Sequence, residues 1–421
     1  MKKTIIRFAA LIAVSLLGSA SCSSNLGVIT EKSFLKADGK ELRTDYGKGK
    51  AVKLHGTNAG GYLLQELWMT PTLKTVHVKD ESSIYAHLEN RFGKDSAREL
   101  ITAYQDSYWT TKDFDNVQAL GANCIRLPFW YRNLVDENGE LYADAFKRLD
   151  WFVSESQQRG IYVILDMHGA PGSQNGSDHS GVDGEQNKKG ASKFFFGDSA
   201  PQNQEKYYEL WETIAAHYKG NPAVAGYDLL NEPYCTYRYN SGISDEELHA
   251  LLWNVYDKAY KTIRAVDPDH IIIMEATWNP VDLPEPETYG WENIMYEYHN
   301  YLYDDYENAQ GKQIANMEDK LGAIADADFP VPTLMGEFCY FNNYSAWDKG
   351  LSLLNKAGVN WTTWTYKTIA DYGNWGIYHH SKTIGKINLE RTSFDAIKKF
   401  WSTMDKEIPN TELIRVLKKY M

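Results

Sequence analysis

Glu232 stands in the run Leu230-Asn231-Glu232-Pro233, and Glu337 in Met335-Gly336-Glu337-Phe338. Each carboxylate closes a short apolar stretch. Two facing carboxyls can divide acid–base work, one holding a proton while the other stays charged. That division suits glycosidic bond cleavage: one gives a proton to the leaving oxygen, and the other attacks the anomeric carbon or activates a water. A separation of about 5 Å implies retention of configuration, and a wider gap implies inversion. Four further apolar runs deliver a polar or aromatic group at the same relative position. They end Ile125-Arg126-Leu127-Pro128, Leu165-Asp166-Met167-His168, Tyr298-His299-Asn300-Tyr301 and Thr363-Trp364. Run ends remote from chemistry need only pack, so six such endings point to one shared rim.

The elements that must position these groups alternate along the chain. Eight strand-like runs cover residues 52–55, 124–127, 162–166, 224–230, 271–275, 294–299, 333–336 and 360–364. Amphipathic segments separate them, among them 114–120, 145–158, 204–218, 246–266, 346–356 and 394–406. Strands alternating with helices imply βα units and a parallel sheet. Eight units imply an α/β fold closed as a single-domain (β/α)8 TIM barrel. The runs are continuous rather than alternating, as strands buried on both faces should be. Long loops follow the first strand (69–109, partly helical) and the third (169–201, rich in Gly, Ser, Asn and Asp). Both fall on the face where barrel enzymes build their sites.

The net charge of −12 disfavours a nucleic-acid partner, because phosphate backbones are bound by clustered Lys and Arg. The 29 Tyr, 13 Trp and 15 Phe could stack on the apolar faces of sugar rings, although most must serve packing. Residues 1–21 read as an export signal: Lys2, Lys3 and Arg7, then an apolar stretch from Phe8 to Leu17 too short to span a bilayer, then small residues. The following Cys22 resembles the acylated cysteine of bacterial lipoproteins, with Ser19 where a Leu is usual. Residues 22–45 then form a tether and N-terminal segment, and 46–421 the catalytic domain. An exported chain, at a bacterial cell surface or in the periplasm, is expected to touch membrane only through that anchor. The remaining cysteines, Cys124, Cys235 and Cys339, are an odd count that leaves one disulfide open. No spacing fits a metal site, the acidic 178–185 segment included, and no cofactor is expected.

Asn231-Glu232-Pro233 resembles the acid/base motif of glycoside hydrolase family five, and Gly336-Glu337-Phe338 its nucleophile motif. Arg126, His168, His299, Tyr301 and Trp364 match the remaining positions of that family's first sugar subsite, in order. The resemblance runs over roughly residues 50–400 and implies a retaining β-glycosidase. It assigns Glu232 as acid/base, Glu337 as nucleophile, Asn231 to the sugar 2-hydroxyl, and Arg126 and Tyr301 to the nucleophile. It also sets His299 beside the acid, His168 on sugar hydroxyls and Trp364 under the sugar. The stretch from Gly56 to Tyr62 with Glu66, Trp68, Thr70 and Pro71, and the loop 168–176, are similar to exo-β-1,3-glucanases of the family. Ala59 and Tyr62 depart from that pattern. A monomeric enzyme acting on a β-glucan is therefore expected, endo or exo. Mannan, xyloglucan and simple β-glucosides are alternative substrates, and a non-catalytic glycan-binding lipoprotein is a remote one. Trp68, Trp130, Trp278 and Trp375 are candidate wall aromatics.

Overall fold

Runs of Ile, Val and Leu that can bury both faces pair side by side in a closed parallel barrel. The computed structural model describes residues 27–182, 184, 192–233, 244–276, 278–303 and 310–421. The export signal, Cys22 and Cys235 lie outside the described residues. In chain order the barrel strands are His55–Asn58, Cys124–Trp130, Tyr162–Gly169, Val224–Asp228, Ile271–Glu275, Ile294–Asn300, Thr333–Phe338 and Asn360–Thr363. Each pairs in parallel with its sequence neighbours, and the eighth closes on the first through Trp361, Thr362 and Thr363 against His55, Gly56 and Thr57. Every residue of the second and third strands is buried.

The first strand is displaced from its expected position at 52–55. Ala51–Val52 instead pairs antiparallel with Glu41–Arg43, which pairs with Lys36–Asp38. This small sheet runs across residue 46, and Lys36 Nζ meets Asp269 Oδ1 at 2.6 Å. The barrel strand therefore starts at His55, and at Gly56 a Cβ would lie 1.8 Å from the Cys124 carbonyl oxygen. The first and second strands approach so closely that only glycine fits.

Helices cover the barrel. Lys147–Gln158 turns Leu149, Phe152 and Val153 inward, and Asp245–Val266 buries Leu248, Leu252, Val255, Tyr256, Ala259 and Ile263. The latter starts at Ser244, whose side chain accepts from Glu247 N–H, with three acidic residues in the first turn to complement the helix dipole. After the eighth strand comes a shorter helix than expected, Phe394–Trp401, then Glu407–Pro409, which joins a second small sheet with Tyr378–His380 and Lys367–Thr368, and a last helix, Thr411–Leu417.

Two helices, Glu81–Phe92 and Lys94–Tyr108, fill the long loop after the first strand. Tyr104 donates to the Gly61 carbonyl at 2.5 Å and Tyr108 to that of Gly60 at 3.2 Å. Lys367 ties this insertion to the second sheet. Its buried ammonium meets Tyr108 O at 2.7 Å, Asp113 Oδ1 at 2.8 Å and Glu407 Oε2 at 3.1 Å. Cys124 and Cys339 are buried free thiols. No described helix is long and apolar enough to cross a membrane.

Candidate active site

Glu232 and Glu337 leave the ends of the fourth and seventh strands and meet over the barrel mouth. One carboxylate oxygen of each, with a nitrogen of His299, falls in a group whose atoms all lie within 4.8 Å of one another. Glu337 is aimed by a register shift between Met335 and Glu337, where the seventh strand takes one extra residue against the sixth. Such a bulge re-aims a side chain, and glycine commonly marks it. Here the extra residue is Gly336, and a Cβ on it would lie 1.5 Å from Glu297 Oε1. Arg126 Nη1 donates to Glu337 Oε1 at 2.9 Å, and the Tyr301 hydroxyl to Oε2 at 2.8 Å. Glu232 takes a left-handed φ of 42°. Non-glycine residues seldom hold that conformation unless their surroundings impose it. Its N–H donates to Glu275 Oε2 at 2.7 Å, and the Asn175 amide donates to its carbonyl at 3.2 Å. The expected partners of each carboxylate are thus in contact with it: His299 Nδ1 lies 2.8 Å from Glu232 Oε1.

Beneath this pair lies a charged floor that the sequence reading left out. Asp166, Asp228, Glu275 and Glu297 sit on four consecutive strands, all fully buried around Arg126. Arg126 Nε donates to Asp228 Oδ2 at 2.8 Å and lies 3.1 Å from Glu297 Oε1, while Nη1 lies 2.9 Å from Asp166 Oδ2. Nη2 donates to Asn231 Oδ1 at 2.9 Å, which leaves the Asn231 amide group to face the cavity. One guanidinium cannot neutralise so many acids in a medium of low dielectric. Burial accordingly pushes Asp166 up to about 8, against the pull of Arg126. Burial and the neighbouring carboxylates also raise Asp228 and Glu275 well above the usual range. Glu297 alone is lowered, because Arg126 and His299 outweigh its burial. Asp166 Oδ2 and His168 Nδ1 lie 2.6 Å apart, and burial holds His168 well below its ordinary value, so its ring is neutral.

The cavity above the pair measures about 380 Å³, near the lower end for ligand sites. Glu66, Trp68, Trp278, Tyr303, Trp364 and Trp375 wall it. Trp364 stacks on His168 with centroids 5.4 Å apart and planes at 9°. Trp68 packs on Trp375 at 5.0 Å, and Trp375 reaches Tyr301 at 5.8 Å. Of the four candidate wall aromatics, Trp68, Trp278 and Trp375 line the cavity. Trp130 does not. Its ring is buried under the third loop, edge-on to Tyr85 at 5.1 Å, and a Cβ on Gly181 would come within 2.6 Å of it. A somewhat larger cavity, about 420 Å³, lies between the insertion and Lys147–Gln158. Its two lining carboxylates are each engaged by an arginine, Asp144 by Arg98 and Asp106 by Arg148.

The third loop braces the site from Gln174, which donates to the carbonyls of His168 at 2.8 Å and Asn231 at 2.7 Å. It also delivers His179, whose Nε2 stands 3.1 Å from Glu232 Oε2. Nothing in the spacing of this Gly- and Ser-rich stretch singles that histidine out. Glu66 was read only as part of a motif, yet it is buried in the cavity wall and accepts from Trp68 Nε1 at 2.7 Å. Burial pushes its carboxyl up to about 8, against the attraction of His179. Glu232, His299 and Glu337 offer the one group of ligand atoms, among the described residues, close enough for a metal ion. Arg126 and Tyr301 already donate to both Glu337 oxygens, and a cation there would face the guanidinium.

A closed barrel with two facing carboxylates at its carboxyl-terminal mouth defines a class of glycoside-cleaving enzymes. The chain belongs to glycosyl hydrolase family 5, whose Cellulase model matches residues 89–369. It is 27% identical over 387 residues to a β-xylosidase of Phanerodontia chrysosporium, covering 85% of this chain and 75% of the other. It is 29% identical over 274 residues to a glucan 1,3-β-glucosidase of Candida oleophila, covering 62% of this chain and 58% of that protein. In fold it resembles an endogalactoceramidase (TM-score 0.60, 18% identity, 88% of this chain and 84% of that one). A rutinosidase from Aspergillus niger is similar (TM-score 0.58, 18% identity, 75% and 90%).

Proposed function

We propose that this glycoside hydrolase cleaves β-glucans or β-glucosides by double displacement, with retention of anomeric configuration. The observation that carries the reading is the approach of Glu232 and Glu337, with oxygens within 4.8 Å. That gap suits direct attack and is too narrow to seat a water between carboxylate and sugar. Glu337, held by Arg126 and Tyr301, attacks the anomeric carbon while Glu232 protonates the leaving oxygen. A glycosyl-enzyme forms on Glu337. Glu232 then takes a proton from water, which displaces Glu337. Asn231 presents its amide group to the 2-hydroxyl, His168 binds hydroxyls of the same ring, and Trp364 lies under it. The substrate class rests on the motifs after the first and third strands and on the glucan 1,3-β-glucosidase relatives. Export with acylation at Cys22 would set the enzyme on a bacterial surface or in the periplasm, and it acts as a monomer.

Chemical rescue tests the assignment. Glu337→Ala should lose turnover of an activated aryl β-glucoside by at least about 10⁴-fold, and azide should restore it as the α-glycosyl azide. Azide with Glu232→Ala should give the β-glycosyl azide. The opposite pattern reverses the roles. A product profile on β-glucans, mannan and xyloglucan separates the substrate classes, with oligosaccharide mixtures marking endo action and glucose alone exo action. An aryl β-xyloside belongs in the panel, because the xylosidase relative covers more of the chain than the glucosidase.

A further inference from the structure

Two imidazoles bracket Glu232. His299 Nδ1 holds Oε1 at 2.8 Å from the fully buried floor, whereas His179 Nε2 holds Oε2 at 3.1 Å from the cavity side. His179 therefore engages the oxygen that a leaving group would approach. It has a second partner on the same nitrogen, because Asn175 Nδ2 lies 2.8 Å from Nε2. These two neighbours suit two protonation states. Glu232 Oε2 accepts from a protonated Nε2, and the Asn175 amide can donate to the lone pair of a neutral one.

We propose that His179 is a positioning residue that stores the proton for the acid step and exchanges it with Glu232 during each half-reaction. In the free enzyme Glu232 is a carboxylate and His179 an imidazolium. As the glycosidic oxygen departs, the His179 Nε2–H bond breaks, a proton reaches Glu232, and Glu232 delivers a proton to the leaving oxygen. The imidazole is then neutral and accepts from Asn175. In the second half-reaction the proton from water lands on Glu232 and returns to Nε2. One N–H bond is exchanged for one O–H bond, and no electrons change hands.

The surrounding charges fit this inventory. Three acidic side chains face His179: Glu232 from the end of the fourth strand, Glu66 from the first loop and Asp178 beside it in its own loop. Neutral His168 of the third strand stands 6.4 Å away. Burial opposes the charge on His179, but its bond to Glu232 and the charge of that carboxylate lift it to about 9. Burial would raise Glu232, yet the bonds from His179 and His299 hold it well below the usual carboxylate range. Both imidazole contacts favour the charged form of Glu232, and the one on the cavity side places a proton donor against the oxygen that must act as acid.

The proposal rests on the reading of Glu232 as acid, and leaving-group dependence tests it. For His179→Gln, kcat/KM on a dinitrophenyl β-glucoside, whose leaving group needs no proton, should stay within about threefold of wild type. On an alkyl β-glucoside it should fall by about 10²-fold, and the alkaline limb of the pH profile should move to lower pH. His179→Ala should regain alkyl glucoside turnover in millimolar imidazole. Equal losses on both substrates without imidazole rescue, or no loss on either, overturn the proposal. Thermal melting identifies a variant that does not fold, and His179→Asn then replaces it in the same comparison. A wild-type enzyme inactive on every β-glucoside would instead defeat the reading of the site itself.

Discussion

At Gly336 a single hydrogen atom stands where any other residue would put a carbon inside the Glu297 carboxylate. Glu297 pairs with Arg126, and Arg126 steadies Glu337, so the absence of a side chain at 336 reaches the carboxylate proposed as nucleophile through two contacts. Gly336→Ala should force Glu297 aside. Overpacking of a filled interior costs about 1–3 kcal/mol, and a nucleophile displaced by even an ångström should lose about 10²-fold in rate. Melting temperature and kcat/KM on an aryl glucoside are the measurements. An unchanged kcat/KM in a folded protein would show that Glu337 is aimed without the bulge.

Among the elements, the insertion after the first strand and the sheet after the eighth share one buried cation. Lys367 is fully buried against Asp113 and Glu407, and its removal would leave Asp113 to the Tyr366 hydroxyl and the Thr110 N–H, and Glu407 to the exposed Lys112. Loss of one partner from a buried ion cluster costs about 3–5 kcal/mol. Lys367→Met should lower the unfolding free energy by that order in denaturant titrations. It should raise KM more than it lowers kcat, because Trp68 and Trp375 hang from the two segments it joins. Seven of the eight barrel strands were legible in the chain, six as apolar runs carrying Ile, Val or Leu and the eighth as a short Trp- and Thr-rich run. The first was not: His55-Gly56-Thr57-Asn58 has no aliphatic residue, and its pairing depends on a close approach that no local pattern encodes. The two facing carboxylates could be named from the strand ends, and their contacts from the family resemblance. His179 and the acidic floor could not, because a histidine in a polar loop and acids inside apolar runs acquire meaning only when other strands surround them. Trp130 misled for the converse reason. It ends a strand at the rim, but the third loop folds over it.

Taken whole, the molecule buries acids that must keep their protons. Glu81 accepts the Gln65 N–H at 3.1 Å, and burial raises it to about 8, as it does Glu66 and Asp166. An unfolded chain releases those protons near pH 4. Between pH 4 and 8 the folded state therefore binds more protons than the unfolded one, and its stability falls as pH rises. The loss is absent below about pH 4 and complete above about pH 8. Scanning calorimetry should show the melting temperature declining over that window. Glu81→Gln, at a residue that does not line the cavity, should flatten the decline while leaving kcat/KM on an aryl glucoside close to wild type. A wild-type curve that is level from pH 5 to 8 would contradict the assignment.

The way the cavity is assembled also separates what can drift from what cannot. Glu337, Arg126 and His299 sit within strands, Glu232 and Asn231 directly after one, and a change at any of them is felt by several partners at once. Trp68, Trp278 and Trp375 reach the same space from loops, where insertions and exchanges leave the barrel pairing intact. Descendants of this chain can therefore acquire a new sugar preference by swapping loop segments while inheriting the bond-breaking apparatus unaltered. Laboratory evolution for another glycan has its productive targets in those loops rather than in the strands.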